Sequence, residues 1–471
     1  MKKLLTACFL AFIALSLYAQ ERVITESEQL PETNPVIINR ISEWQDLKFG
    51  FFAHWGIYAT EQLVESWQIC NEPWINRKGE AYDEYKKWYW DLNKRFNPKS
   101  FNASSWAKAA KEAGMKYFVF TSKHHDGFCM YDSKFTDYSV AGKDCPYSAN
   151  KDNDIVKQVV EAFRAENFWT GLYFSKADWH NQDYWSPLWA TPDRNVNYDI
   201  NSHKDMWQRF TDFTTNQIYE ITHNYGDIDI LWLDAGWIRP EWSIKDDEVR
   251  SWLGAYKRTQ DINMPKIAQM AREGNEDMII VDRSVGGQFE NYRTPEQQVP
   301  ETPLDYPWET CMTMGDSWSY VKNDNYKSVN TLLHILVDVV AKGGNFLLNV
   351  GPDAEGNLPQ KAVERMQAMG QWLKVNGEAI YNTRPIAPYK ENNICFTKNK
   401  NGRQYALILI DENNKLQQNY TFSFSETLKQ GNKKILGYKQ KAKLSCKNGI
   451  YTLKITDSSK IGEKNVLVIE L

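Results

Sequence analysis

The groups able to do chemistry in this chain stand just after short apolar runs. The first run ends in His54-Trp55-Gly56 and the second in His124-His125-Asp126-Gly127. A third carries Tyr173 and leads into Asp178-Trp179-His180. A fourth closes with Trp232-Leu233-Asp234-Ala235-Gly236-Trp237. A fifth ends in Asp282-Arg283, ahead of a loop holding Glu290 and Glu296. Four of the seven histidines fall at these ends, which random placement rarely produces. Histidine offers hydrogen bonds to hydroxyls, tryptophan a flat apolar face, and two acids the carboxyl pair that glycoside hydrolysis requires. Taken singly, each has a plainer role: an Asp at a strand end caps a helix or pairs with an Arg, and Trp232 or Trp237 fills a core. His124-His125 also admits a metal site. Metal ligands must converge on one point, however, whereas adjacent strand residues face opposite ways, and no His-x-His is present.

The elements that must position these residues alternate in type. Strand-like runs, apolar nearly throughout, are Lys48–His54, Tyr117–Ser122, Trp169–Ser175, Ile228–Asp234, Met278–Asp282 and Asn345–Val350, as expected of strands buried on both faces. Between them the spacing predicts helices: Ser104–Ala113, Asp154–Glu166, one marked by Trp207, Phe210, Phe213, Ile218 and Ile221, then Val329–Ala341 and Gln360–Val375. Such alternation implies an α/β fold with a parallel sheet and helical crossovers. At this length the expectation is a closed, TIM-like (β/α) barrel, with its active site at the C-terminal strand ends. No G-x-G-x-x-G follows the first strand, which weakens a nucleotide-binding alternative. After Pro385 the texture becomes that of an antiparallel β-sandwich: Tyr405–Ile410, Tyr420–Phe424, Ile450–Ile455 and Val466–Ile469, with a turn at Asn448-Gly449. The expected division is a signal peptide over 1–19, a catalytic domain over 20–385 and the sandwich over 386–471.

Composition narrows the class. The 471 residues suffice for two to three domains, and 42% hydrophobic with 25% charged residues is ordinary for a globular protein. Fifty-six basic against 60 acidic side chains, with no block of like charge, speak against a nucleic-acid partner. The excess is aromatic: 19 Trp, 25 Tyr and 21 Phe, more Trp than packing usually asks for and suited to the C–H faces of sugars. Met1-Lys2-Lys3, an apolar run to Ala19 and then Gln20-Glu21 read as a cleaved export signal, too short for a span. Leu5-Thr6-Ala7-Cys8 resembles a lipobox, but its cysteine precedes the apolar region. Removing Lys2 and Lys3 leaves 54 basic against 60 acidic groups, a net charge of -6. The remaining cysteines, Cys70, Cys129, Cys145, Cys311, Cys395 and Cys446, show no C-x-x-C pair; one or two disulfides are compatible with export.

With these motifs in order, the chain resembles the α-L-fucosidases of glycoside hydrolase family 29 over roughly 41–384. The resemblance rests on KFGFFAHWGIY (Lys48–Tyr58), SKHHDGF (Ser122–Phe128), LWLDAGW (Leu231–Trp237), VDRSVGG (Val281–Gly287) and TPEQ (Thr294–Gln297). GGNFLLNVGPDAEG (Gly343–Gly356) and NGEAIY (Asn376–Tyr381) complete it. It implies a retaining mechanism in which Asp234 is the nucleophile and Glu296 the acid/base, with Glu290 the other candidate. It also implies that His54, His124, His125, Tyr173, Trp232 and Arg283 surround the sugar, and that Trp318 lies near its methyl group. A Glu-Trp pair expected after the first strand is met by Glu65-Ser66-Trp67, with one extra residue, or by Lys87-Trp88, where a cation replaces the acid. Related galactosides or arabinosides as substrates, or an inactive carbohydrate-binding relative, remain the alternatives. The resemblance implies no metal or cofactor, and fucosylated oligosaccharides or glycoconjugates as partners; the N-terminal segment and the lack of another long apolar run imply an exported protein, periplasmic or extracellular, with no membrane span once mature.

Overall fold

The computed structural model describes residues 30–72, 75, 81–191, 193–244, 259–411, 416–463 and 465–471. The expected signal segment lies outside the described residues. Among those described, no helix is long and apolar enough to cross a membrane.

Helix α1 (Pro35–Leu47) leads into strand β1 (Phe49–Ala53), then α2 (Tyr82–Trp90) and α3 (Ala103–Glu112) precede β2 (Tyr117–Lys123). Next come α4 (Ile155–Ala165), β3 (Trp169–Ser175), α5 (Lys204–His223), β4 (Ile230–Asp234), α6 (Met264–Gly274) and β5 (Ile279–Asp282). Strands β6 (Glu309–Thr313) and β7 (Asn345–Val350) bracket α7 (Val329–Ala341), and α8 (Gln360–Asn376) ends the series. Side-chain caps start several of these helices where polar residues precede the apolar period. Asn102 accepts from Ser105 N, so α3 begins one residue earlier than its expected start at Ser104. Asp154 and Ser328 cap α4 and α7 in the same way. Helices α1, α2 and α6 had no counterpart in the sequence reading.

Strands β1–β7 form one parallel sheet in the order β5-β4-β3-β2-β1-β7-β6. Alternate residues split between its two sides, as a two-residue period requires. Phe52, Val119, Tyr173, Trp232, Val281, Cys311 and Leu347 form one buried cluster. Phe51, Phe118, Phe174, Leu231, Ile280 and Leu348 join the larger core with the helices. The interior is tight: a Cβ on Gly50 would lie 2.4 Å from the Tyr117 ring.

Of the expected barrel the regular ladder shows a curled parallel sheet of seven strands, open between β5 and β6. The opening is spanned by the stretch 289–297, which bonds to both edges. Asn291 N donates to Ile280 O and Asp282 N to Phe289 O, while Glu309 N donates to Arg293 O and Gln297 N to Cys311 O. This stretch is too irregular to count as a strand, and it carries Glu290 and Glu296.

The C-terminal part forms two four-stranded antiparallel sheets. One is ordered β15-β10-β9-β8, from β8 (Thr383–Glu391), β9 (Ile394–Asn399), β10 (Gln404–Leu409) and β15 (Val466–Glu470). The other is β11-β14-β13-β12, from β11 (Asn419–Phe422), β12 (Gly431–Lys434), β13 (Lys441–Lys447) and β14 (Ile450–Ile455). Phe396, Ile408 and Ile469 of the first share a core with Phe422, Leu444 and Leu453 of the second. The opposite face of the first sheet, with Cys395, Leu407 and Val468, belongs to the core of the parallel sheet's helices. All six described cysteines are free.

Candidate active site

The C-terminal ends of the parallel strands open into a cavity of about 360 Å³. Strands β1, β4 and β5 deliver their chemistry by continuing the inward phase of their interior residues. His54 follows Phe52, Asp234 follows Trp232, and Arg283 follows Val281. All of them line the cavity, as do Glu65, Trp67, His124, His125, Tyr173, Glu296 and Trp318. The expected opposition of His124 and His125 does not occur. Strand β2 ends at Lys123 with an irregular register, and beyond it both rings turn inward, their centroids 4.4 Å apart.

Asp234 is held on both carboxylate oxygens. Its Oδ2 accepts from the Tyr173 hydroxyl at 2.8 Å, and its Oδ1 accepts from Ala235 N at 2.8 Å and Arg283 Nη1 at 3.3 Å. Burial alone would raise this carboxyl, but the charge of Arg283, the nearby His125 and these hydrogen bonds outweigh it and hold the group well below the usual range. Asp234 is therefore an anion at any working pH. The other end of the same guanidinium, Nη2, bonds Glu296 Oε2, and its Nε donates to the Thr294 hydroxyl at 3.1 Å. One cation thus bridges both acids. Glu290 sits elsewhere: it is buried, accepts from Ser284 N and Gly286 N at 2.9 Å and pairs with Arg293, and it does not line the cavity. Its place is that of a loop clamp.

The histidines are neutral. Burial pushes His54 down to about 3 and His125 to about 4, and it lowers His124 well below its ordinary value. The Asn349 amide donates to Trp318 O at 2.6 Å, so its oxygen accepts from His54 Nδ1 at 2.8 Å. The Ser175 hydroxyl donates to Ala177 O, so it accepts from His125 Nδ1 at 2.7 Å. In both rings Nε2 is left as an acceptor. His124 pairs with the Ser66 hydroxyl and stacks on Tyr173 at 5.4 Å. The fourth strand-end histidine, His180, is not in the cavity; it stacks on Tyr138 at 3.9 Å.

Of the two Glu-Trp alternatives, Glu65 and Trp67 line the cavity, whereas Lys87 and Trp88 lie on α2 away from it. Glu65 is buried at a backbone φ of 28°, with its Oε2 lacking any hydrogen-bond partner. Burial, then the charges of Glu296 and Asp234, push its carboxyl well up. Trp67 packs edge-on against His125 at 5.3 Å. Trp232 is a buried floor more than a stacking face. It lies against Tyr173 at 5.4 Å and beneath the Arg283 guanidinium at 5.2 Å, and its Nε1 donates to Glu309 at 3.3 Å.

Sequence reasoning missed Ser66, Ser175 and Asn349, which set the histidines, as well as Arg194 and Cys311 in the lining. Ser66 lay inside the Glu-x-Trp pattern and Asn349 inside the NFLLNVG motif, so both were within reach. Arg194 sits in a long irregular loop and gave no signal. Among the described residues no three His, Cys, Asp or Glu side chains gather as metal ligands.

A family model described as Alpha-L-fucosidase matches residues 16–378. The chain is 28% identical over 390 residues to the tissue alpha-L-fucosidase of Bos taurus, covering 78% of this chain and 74% of the relative. It is 30% identical over 361 residues to the plasma alpha-L-fucosidase of Pongo abelii, covering 73% and 70%. Among solved structures it is similar to alpha-L-fucosidase isoenzyme 1 from Paenibacillus thiaminolyticus, with a TM-score of 0.74, 27% identity and coverage of 93% and 99%.

Proposed function

The chain belongs to the alpha-L-fucosidase family of glycoside hydrolases, and from that premise we propose that it removes terminal α-L-fucosyl residues from glycans with retention of configuration. The carrying observation is the convergence of Asp234 and Glu296 on one cavity, tied by a single guanidinium. Retaining enzymes hold their carboxyls about 5–5.5 Å apart, against about 6.5–9.5 Å for inverting ones. A cation shared between its two terminal nitrogens favours the shorter separation.

Asp234, kept anionic, attacks the anomeric carbon as Glu296 protonates the departing glycosidic oxygen; the bond to the leaving sugar breaks and a fucosyl ester forms on Asp234. Glu296, now a carboxylate, takes a proton from water, whose oxygen displaces Asp234. Nε2 of His54 and of His125 accepts hydrogen bonds from sugar hydroxyls, and the buried Glu65 carboxyl supplies a further polar contact with Trp67 beside it. Trp318 packs on His54 at 4.9 Å and closes the same side. The same reading takes the sheet with 289–297 as a barrel closed by an irregular strand, the C-terminal sheets as a supporting sandwich after residue 385, and residues 1–19 as a removed export signal.

Hydrolysis of an aryl α-L-fucoside tests the proposal. Turnover by the wild type should fall by about 10⁴-fold or more in Asp234→Ala, the scale on which loss of a reacting group registers. Binding without turnover in the wild type would leave the inactive relative, and faster hydrolysis of galactosides or arabinosides would leave the relaxed enzyme.

A further inference from the structure

We propose that the exposed indole of Trp242 is the platform for the sugar unit that carries the fucose and departs as leaving group; this rests on the fucosidase reading above. Trp242 is 67% exposed, against 39% for Trp88 and 38% for Trp189, although an indole in water forgoes the burial that usually justifies its size.

The exposed ring is nonetheless held in place. It sits on the short 3₁₀ turn Glu241–Ser243 that follows β4. Arg239, itself buried, staples this turn to its neighbours: Nε bonds Gly236 O, Nη1 donates to Ser243 O at 3.2 Å, and Nη2 bonds Ser284 O. The ring edge rests on Gly287, where a Cβ would come within 2.9 Å of Cη2 and where φ is +83°. Glu290 fixes that same loop through Ser284 N and Gly286 N.

Gly236 and Ser284 also line the cavity, next to Asp234 and Arg283. Arg239 thus ties the turn that carries Trp242 to two residues of the cavity wall. Glu296 is the more open of the two acids, its side chain 30% exposed against 16% for Asp234, and the leaving oxygen departs on its side. A pyranose beyond that oxygen has a C–H face to lay on the indole.

The test compares α-L-fucosyl fluoride, whose leaving group has no ring, with a fucosylated lactose. For Trp242→Ala, kcat/KM on the fluoride should stay within about twofold while that on the trisaccharide falls about tenfold through KM, and Trp242→Phe should recover most of it, as an aromatic contact predicts. Equal losses on both substrates would overturn the platform by showing a loop defect, and an unchanged trisaccharide rate would overturn it outright. A wild type inert on the fluoride would overturn the fucosidase reading, and the platform with it.

Discussion

Arg283 donates to both acids, so its loss unties two groups at once. Lysine keeps the charge but has no planar fork, and it cannot hold two carboxylates in fixed directions. Arg283→Lys should lower kcat by roughly 10–100-fold, the scale of one or more charged hydrogen bonds, with little change in melting temperature; steady-state kinetics beside thermal unfolding checks this. The acid/base assignment has its own signature. In Glu296→Ala, fucosides with poor leaving groups should slow by about 10²–10⁴-fold, as for loss of a general acid, while activated aryl fucosides slow far less. Glu290→Ala should instead loosen the loop at Ser284–Gly286 and show no such dependence on leaving group. The reverse pattern in rate-versus-leaving-group plots would transfer the role to Glu290.

Strand β6 and the stretch 289–297 close the side of the sheet on which the second acid sits. Glu309, at the start of β6, is wholly buried and accepts from the Tyr117 hydroxyl at 2.6 Å and from Trp232. Burial pushes its carboxyl up to about 8. Between its unfolded value near 4.5 and about 8 the native state holds a proton that the unfolded chain has lost, so this group's contribution to stability declines as pH rises through that window. Glu309→Gln removes the titration and keeps an acceptor for Trp232. Its melting temperature relative to wild type should therefore rise from pH 5 to about pH 8 and level off above it; a constant difference from pH 5 to pH 9 would remove Glu309 as the cause.

At the scale of the whole molecule, the C-terminal sheets are part of the catalytic unit's packing. One face of the β15-β10-β9-β8 sheet lies on α7 and α8, where Trp372 Nε1 donates to Val466 O at 2.9 Å and Asn330 donates to Ile410 O at 2.8 Å. Trp372→Ala should cost about 3–5 kcal/mol, as for other large-to-small core changes, read as a shift in the urea midpoint. The folded fraction should retain wild-type kcat/KM, since none of these groups lines the cavity.

Local pattern carried the strands and most of the chemistry. Runs such as Ile228–Asp234 are apolar because both faces of the sheet are covered, and a residue at such a run's end is placed by a two-residue period that needs no knowledge of distant partners. That is why Asp234, His54, Tyr173 and Arg283 could be named in advance as cavity groups. The tertiary structure alone decided what depends on partners far apart in sequence. Strand β6 reads Glu-Thr-Cys-Met-Thr, too polar to look like an interior strand, because its Glu is matched by Tyr117 and Trp232 from β2 and β4. The side to which His124 and His125 turn depended on where β2 stopped pairing, and the choice of Glu65 and Trp67 over Lys87-Trp88 on how the loop after β1 folded back. The contrast between a cavity acid and a loop clamp, Glu296 and Glu290, arose because 289–297 is held by hydrogen bonds to two separate strands. Those bonds have no period for a sequence to display.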